Sequence, residues 1–224
     1  MPVVDIPFPA APTEPPPLSR CARLANRLLP ARLHARWKLD ELFACDLSLW
    51  KPPQARTDIR IHWIRSPADL KPEHKQFLLT RLGPFLWRWW QRRIRGGGYR
   101  LAVAYCEGRP VHYTFVHRAG AGLKPYRPIM RSGTSIIGPC YTESSARGRG
   151  IFPYTVGHAL TELQAAGDKW AFIHAATDNE ASLRGIRRNP GLVYVGRFLF
   201  YRPPFGRNRM VAATIETPGP TRFS

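Results

Sequence analysis

A basic glycine-containing loop is the first feature of the sequence that could do chemistry. An apolar run ending at Thr142 is followed by the segment Arg-Gly-Arg-Gly at 147–150, and an amphipathic pattern begins at Ile151. Glycine allows close backbone approach to a ligand, and the first N–H groups of a helix lack intrahelical partners. The helix dipole adds partial positive charge. The loop therefore predicts a phosphate or pyrophosphate cradle, to which Arg147 and Arg149 could contribute charge-assisted hydrogen bonds.

Three side chains near this loop are candidates for proton transfer: Tyr141, Glu143 and His174. A carboxylate or an imidazole can act as a general base, and a phenol can donate to a reacting centre. Each also has a simpler interpretation. Glu143 could be a solvated loop carboxylate, Tyr141 could pack in the core, and His174 could be an ordinary hydrogen-bonded histidine.

The segment 84–95 mixes three tryptophans with four arginines. Such a segment suits a lipid headgroup interface, an acidic substrate or stacking on sugars or bases. We take Trp87, Trp90 and Tyr113 as candidate substrate contacts. The alternative is an amphipathic helix whose tryptophans fill the core and whose arginines are solvated.

The elements that would position these residues follow from apolar periodicity. Alternation predicts strands at 59–63, 99–105, 111–115, 134–142, 170–175, 193–201 and 210–216. Helical spacing predicts helices over 66–95, with a break at Gly83-Pro84, and over 150–166 and 179–188. The loop at 147–150 thus lies between a strand and a helix.

The chain divides into four segments by composition. Residues 1–17 contain seven prolines and predict a disordered leader, and 219–224 form a tail. Residues 18–57 predict a helical N-terminal extension, with two short helices interrupted at Pro30. Residues 58–218 would form the main domain.

Three motifs together resemble the Gcn5-related N-acetyltransferase (GNAT) superfamily. Arg147-x-x-Gly150 at the start of a helix resembles the family's pyrophosphate-binding motif, and Asn179-Glu-Ala-Ser182 resembles its second motif. The segment Gly191-Leu-Val-Tyr-Val-Gly196 is similar to the family's Gly-Phe-x-x-x-Gly segment. The resemblance implies an α/β fold with a mixed, mostly antiparallel central sheet flanked by helices, here carrying the helical N-terminal extension.

The resemblance also implies transfer of an acyl group from an acyl-CoA to an amine or hydroxyl of a small or sugar-like acceptor. Acetyl-CoA is the favoured donor. It implies cofactor contacts from Cys140, Tyr141, Thr142, Arg147, Gly148, Arg149, Gly150, Ile151, Asn179 and Ser182. Two residues depart from the pattern: Phe152 stands where the motif usually has Gly or Ala, and Ile186 about where many members have a thiolate-protonating tyrosine. Cys140 could form an acyl-cysteine, but a small buried side chain is the favoured interpretation.

Composition limits the partners. The formal charge of +19 favours anionic ligands or membrane surfaces. The sequence has no run of five consecutive basic residues, so it lacks the signature of a nucleic-acid-binding tail. The four cysteines do not form a zinc motif, and no apolar segment is long enough to span a bilayer. We expect a cytoplasmic enzyme without a metal, with peripheral membrane contact left open. An acyltransferase acting on a lipid-linked or surface-polysaccharide precursor, and a non-catalytic nucleic-acid-binding module, remain alternatives.

Overall fold

The computed structural model describes residues 11, 13–28, 35–118, 132–203 and 209–215, which form one eight-stranded sheet and four α-helices. In chain order the elements are α1 (Arg20–Leu28), β1 (Arg36–Asp46), β2 (Arg60–Ile64), α2 (Pro72–Arg95), β3 (Tyr99–Cys106), β4 (Arg109–Arg118), β5 (Thr134–Thr142), α3 (Ile151–Ala165), β6 (Trp170–Ala176), α4 (Glu180–Arg187), β7 (Val193–Arg202) and β8 (Arg209–Ile215). Leader residues 1–10 and 12 and the tail 219–224 lie outside the described residues.

The strands lie in the order β2-β3-β4-β5-β6-β1-β7-β8. Only β5 and β6 are parallel, and every other neighbouring pair is antiparallel. The predicted α/β class, with a mostly antiparallel sheet flanked by helices, is confirmed. The predicted elements from residue 59 onward are also found, and the break within α2 falls at Gly83, whose φ of 73° is non-helical.

The second helix predicted for the N-terminal extension is wrong. Residues 36–46 form β1, which lies in the sheet between β6 and β7. Of the two predicted helices, the described residues 18–28 and 35–57 contain only the first, α1. The cause is burial on both faces: Leu42 and Phe43 are both buried although they point to opposite sides. A strand buried on both faces loses the alternation that identifies a strand, and its apolar spacing then resembles that of a helix.

Apolar clusters cover both faces of the sheet, and the two largest lie under helices. Against one face pack α3 and α4, with Leu160 and Leu183 meeting Val116 and Ile173. Against the other face packs α2, whose Trp90 stacks on Phe115 with ring centroids 3.8 Å apart. We call these surfaces the α3 face and the α2 face.

A fork in the sheet positions the site. The parallel strands β5 and β6 pair only from Thr134↔Trp170 to Ile137↔Ile173. Beyond that point β5 continues beside β4, and β6 continues beside β1. The gap that opens between the two strands lies next to the loop that precedes α3.

Candidate functional site

The loop between β5 and α3 has the backbone of an anion cradle. Gly148 and Gly150 have φ values of 80° and 71°, in the left-handed region that favours glycine. Gly150 is the N-cap of α3, and no acidic residue follows in the first helical turn. The first amides of α3 therefore face the loop without helical acceptors, with the positive end of the helix dipole behind them.

A cavity of about 490 Å³ lies between this loop and α4. Nine of the ten residues predicted to contact the cofactor line it: Cys140, Tyr141, Thr142, Arg147, Gly148, Gly150, Ile151, Asn179 and Ser182. The structure thus brings together residues from β5, the loop and the two helices that follow. The volume is within the range of ordinary ligand sites.

The lining of the cavity is cationic. Arg147 is joined there by Arg184 and Arg188, and none of the described lining residues is a carboxylate. Arg184 also forms an exposed ion pair with Glu180 of the same helix at 3.0 Å. Sequence reasoning missed Arg184 and Arg188. Their spacing of four residues was an available signal, because it places both side chains on one side of α4.

Arg149 is the predicted cofactor contact that does not line the cavity. Its guanidinium pairs with Glu107 in the β3–β4 turn at 2.9 Å, and the hydrogen bond to that carboxylate raises the pKa of Arg149. Arg56 donates to the carbonyl oxygen of Arg149 at 3.0 Å. The Arg149 side chain therefore points toward the β3–β4 turn at the surface of the protein and not into the cavity.

Asn179 and Ser182 form the second wall of the cavity through a helix cap. The Asn179 side chain accepts a hydrogen bond from the Ser182 amide at 3.2 Å, which fixes the start of α4. This arrangement keeps the first turn of α4 facing the first turn of α3.

Phe152 is accommodated by Gly185. A Cβ at position 185 would lie 2.4 Å from Cδ1 of Phe152, so only glycine leaves room for the ring. We expect Gly185→Ala to destabilise the wild type by about 1 kcal/mol, because overpacking outweighs the gain in helix propensity. In a Phe152→Ala background the same substitution should stabilise by about 1 kcal/mol. Urea unfolding of the four proteins measures this coupling, and additive free energies would show that the two residues do not compete for space.

The fold brings two of the candidate proton-transfer residues together, with the Tyr141 hydroxyl 3.5 Å from Oε2 of Glu143, and places His174 apart from them. Glu143 binds Arg81 through both carboxylate oxygens, each 2.6 Å from a guanidinium nitrogen. Tyr141 stacks with Tyr113 at 5.8 Å between ring centroids and lies on the α2 face. His174 does not line the cavity, and its Nδ1 lies 2.6 Å from Oδ2 of Asp40 on β1.

Trp87, Trp90 and Tyr113, predicted as substrate contacts, are core residues instead. Their exposed fractions are 3%, 5% and 6%. The tryptophans fill the space between α2 and the sheet, as the alternative interpretation of this segment holds. The exposed apolar side chains of α2 are Phe85 and Leu86.

Cys140, which lines the cavity, and His112 on the neighbouring strand both contact Thr114, and both are uncharged at neutral pH. Burial raises the pKa of Cys140 to about 12, which keeps the thiol protonated at neutral pH. Burial lowers the pKa of His112 to about 3, and its ring lies between the hydroxyls of Thr114 and Thr142 at 2.7 Å each. This arrangement supports a packing role for Cys140 and does not supply the thiolate that an acyl-cysteine would need.

Two kinds of site are absent from the described part of the chain. No helix there is long and apolar enough to cross a membrane. No group of three or more His, Cys, Asp or Glu side chains in the same residues is arranged to hold a metal ion.

Comparison with known proteins identifies the fold. No protein-family model matches the sequence, and no curated protein matches it. Among solved structures, the GCN5-related glucosamine N-acetyltransferase region of a fungal multi-domain β-N-acetylglucosaminidase is 18% identical, with a TM-score of 0.57, over 87% of this chain and 24% of that one. A GNAT-family acetyltransferase from Colwellia psychrerythraea is 15% identical, with a TM-score of 0.52, over 80% of this chain and 61% of that one.

The chain spans less than two thirds of the length of either protein. At these identities the comparison bears on the fold, and it agrees with the motifs that place a glycine loop before α3 and a capped helix after β6. The chain has the fold of the Gcn5-related N-acetyltransferases.

Proposed function

We propose that the chain is an acyltransferase that uses acyl-CoA, with acetyl-CoA as the first donor to consider. The observation that carries the proposal is the cationic cavity at the start of α3. It offers left-handed glycines, unpartnered helix amides and three arginines, and its described lining holds no carboxylate. These are the features that suit the phosphates of coenzyme A.

Different residues of the cavity would bind different parts of the acyl-CoA donor. Arg147 and the loop glycines would bind the pyrophosphate, while Arg184 and Arg188 offer charge to a further phosphate. Cys140, Tyr141 and Thr142 at the end of β5 would flank the pantetheine arm, which leads toward the fork. The acyl group would then reach the gap between β5 and β6.

The acceptor in this proposal is an amine, or a hydroxyl, of a small or glycan-type molecule. It would approach from the α2 face at β5 and β6, because the main sheet contacts of α2 are with β3 and β4, whereas α3 and α4 pack over β5 and β6 on the opposite face. The fungal neighbour is described as a glucosamine N-acetyltransferase region, which makes amino sugars reasonable first probes. A nucleic-acid-binding module would not require a cavity of this kind.

An acceptor at a membrane surface is a second version of the same activity. Helix α1 exposes Leu24 and Leu28 at 59% and 77%, and it carries Arg20, Arg23 and Arg27. Exposed leucines beside arginines suit an anionic membrane surface. This arrangement favours the alternative of a lipid-linked or surface-polysaccharide precursor.

Thiol release from acetyl-CoA tests the proposed activity. Purified protein should release coenzyme A faster in the presence of glucosamine, its short oligosaccharides or alkyl diamines than with water alone. Arg149→Ala should retain this activity, because Arg149 lies outside the cavity. Stimulation only when phosphatidylglycerol vesicles carrying an amine-bearing lipid are added would favour the membrane version. Failure of amines and hydroxyl compounds, with and without vesicles, to increase thiol release would contradict the proposal.

A further inference from the structure

The fork places one histidine at the opening between its two strands. His174 is the first residue of β6 beyond the last β5–β6 pair, Ile137↔Ile173. Ile173 belongs to the core on the α3 face, so the next side chain along the strand lies on the α2 face. A ligand extending from the cavity through the fork would therefore meet His174 on the side from which an acceptor can approach.

A buried carboxylate holds this histidine. Asp40 is fully buried, and its Oδ2 lies 2.6 Å from Nδ1 of His174 and 2.8 Å from Nζ of Lys38. Burial alone would raise the pKa of Asp40, but the hydrogen bonds and charges of His174 and Lys38 outweigh burial and leave that pKa below its ordinary value. Asp40 is therefore a carboxylate at neutral pH, and it accepts a hydrogen bond from Nδ1–H of His174.

We propose that His174 is the proton acceptor of the transfer reaction and that Asp40 is the positioning residue that fixes its tautomer. This inference rests on the proposed acyltransferase function. With Nδ1 donating to Asp40, the lone pair of the neutral ring is on Nε2. The pair of Asp40 and His174, which we call the dyad, joins β1 to β6. Strand β1, for which the sequence predicted a helix, therefore supplies part of the site.

One imidazole is sufficient for the proton transfers of this reaction. His174 Nε2 takes one proton from the acceptor ammonium, and the neutral amine attacks the thioester carbonyl carbon. A C–N bond forms and the C–S bond breaks, while the second nitrogen proton passes to the leaving sulfur. The imidazolium returns its proton to water. The products are an amide, the coenzyme A thiol and one proton.

The other candidate bases are less suited to this step. Glu143 is held through both oxygens by Arg81. Burial lowers the pKa values of His112 and His117 to about 3, which makes both weak bases at neutral pH.

Few charged groups surround His174 in the described part of the sheet. Strand β1 brings Asp40 and Lys38, and β4 brings the neutral His117, which is itself close to Arg93 of α2. Strand β7 brings the aromatic rings of Phe198 and Phe200, 6.1 and 6.0 Å from the His174 ring.

Imidazole NMR of the 15N-histidine-labelled protein tests the dyad without an acceptor. We expect the Nδ1–H tautomer for His174 in the wild type and the Nε2–H tautomer in Asp40→Asn, because an asparagine amide can donate to Nδ1. Asp46→Asn, at the end of the same strand, should leave the tautomer unchanged. Acetyl-CoA should shift the His174 signals more than coenzyme A does, whereas His158 on α3 should respond equally to both.

The outcomes separate the two proposals. If both ligands bind but shift His174 equally, or if wild-type His174 is the Nε2–H tautomer, the dyad is excluded and the coenzyme A site stands. If neither ligand binds, the proposed acyltransferase function is wrong, and His174 then has no transfer reaction in which to accept a proton. A folded Asp40→Asn protein, judged by its amide spectrum, is required for the tautomer comparison. If that variant does not fold, the wild-type tautomer and the unequal response of His174 to the two ligands decide the outcome.

Discussion

Lowering the pH from 7 to 5 should reduce the free energy of unfolding by about 4 kcal/mol through two buried histidines. Desolvation lowers the pKa of His112 to about 3, and it likewise lowers the pKa of His117 to about 3. Histidine in the unfolded chain has a pKa of about 6.5. Between about pH 3 and pH 6.5 the unfolded chain therefore binds protons at these two positions and the folded chain does not. Stability is therefore fully present above pH 6.5 and is lost as the pH falls toward 3.

Urea unfolding at the two pH values measures this effect. Each histidine contributes about 2 kcal/mol over that interval, a large part of the roughly 5–15 kcal/mol that holds a domain together. His112→Gln should reduce the total pH dependence by about 2 kcal/mol, since glutamine cannot titrate and can still bond Thr114 or Thr142. The rest would come from His117 and from the buried His74, whose pKa desolvation lowers to about 4. Equal stability of the wild type at pH 7 and pH 5 would show that these rings are accessible to protons.

A bulky residue at the N-cap of α3 should abolish the binding of acetyl-CoA. Gly150 has a φ of 71°, and a Cβ there would lie 3.1 Å from Nη1 of Arg56. In Gly150→Trp the indole would occupy the cradle and the backbone would be strained, so we expect a loss of at least about 100-fold in affinity, equivalent to about 2.7 kcal/mol. Arg147→Ala should weaken binding by about 10- to 100-fold, because it removes one charge-assisted hydrogen bond.

The chain provides a matched control for this effect. Arg149→Ala changes the net charge by the same amount two residues away, but Arg149 pairs with Glu107 outside the cavity. Its affinity for acetyl-CoA should stay within about threefold of the wild type. Equal losses in Arg147→Ala and Arg149→Ala would mean that overall charge, not the cradle, attracts the ligand.

The loop was predictable from sequence because its signals are local. Two glycines at left-handed positions, an arginine between them and an amphipathic helix that follows are contiguous at 147–165. The motif at the start of α4 indicated Asn179 and Ser182, but the arginines that line the cavity further along needed the structure, since the motif ends at Ser182. Arg184 and Arg188 were missed for that reason.

Long-range pairing accounts for the rest of what the sequence did not reveal. Asp40 and His174 are 134 residues apart and meet only because β1 inserts beside β6. Because β1 is buried on both faces, its apolar spacing did not indicate a strand. The position of Asp40 beside His174 could therefore not be predicted. The tryptophans of α2 show the opposite case: their apolar character was visible, but whether they face the core or a substrate depends on which side of the helix meets the sheet.

Isothermal titration of acetyl-CoA into the wild-type chain, Arg147→Ala, Arg149→Ala and Gly150→Trp at one moderate salt concentration tests the central claim most directly. The proposed cradle predicts saturable one-site binding by the wild type and Arg149→Ala, weaker binding by Arg147→Ala, and none by Gly150→Trp. Absence of wild-type binding to acetyl-CoA and to longer acyl-CoA molecules would contradict the acyltransferase proposal.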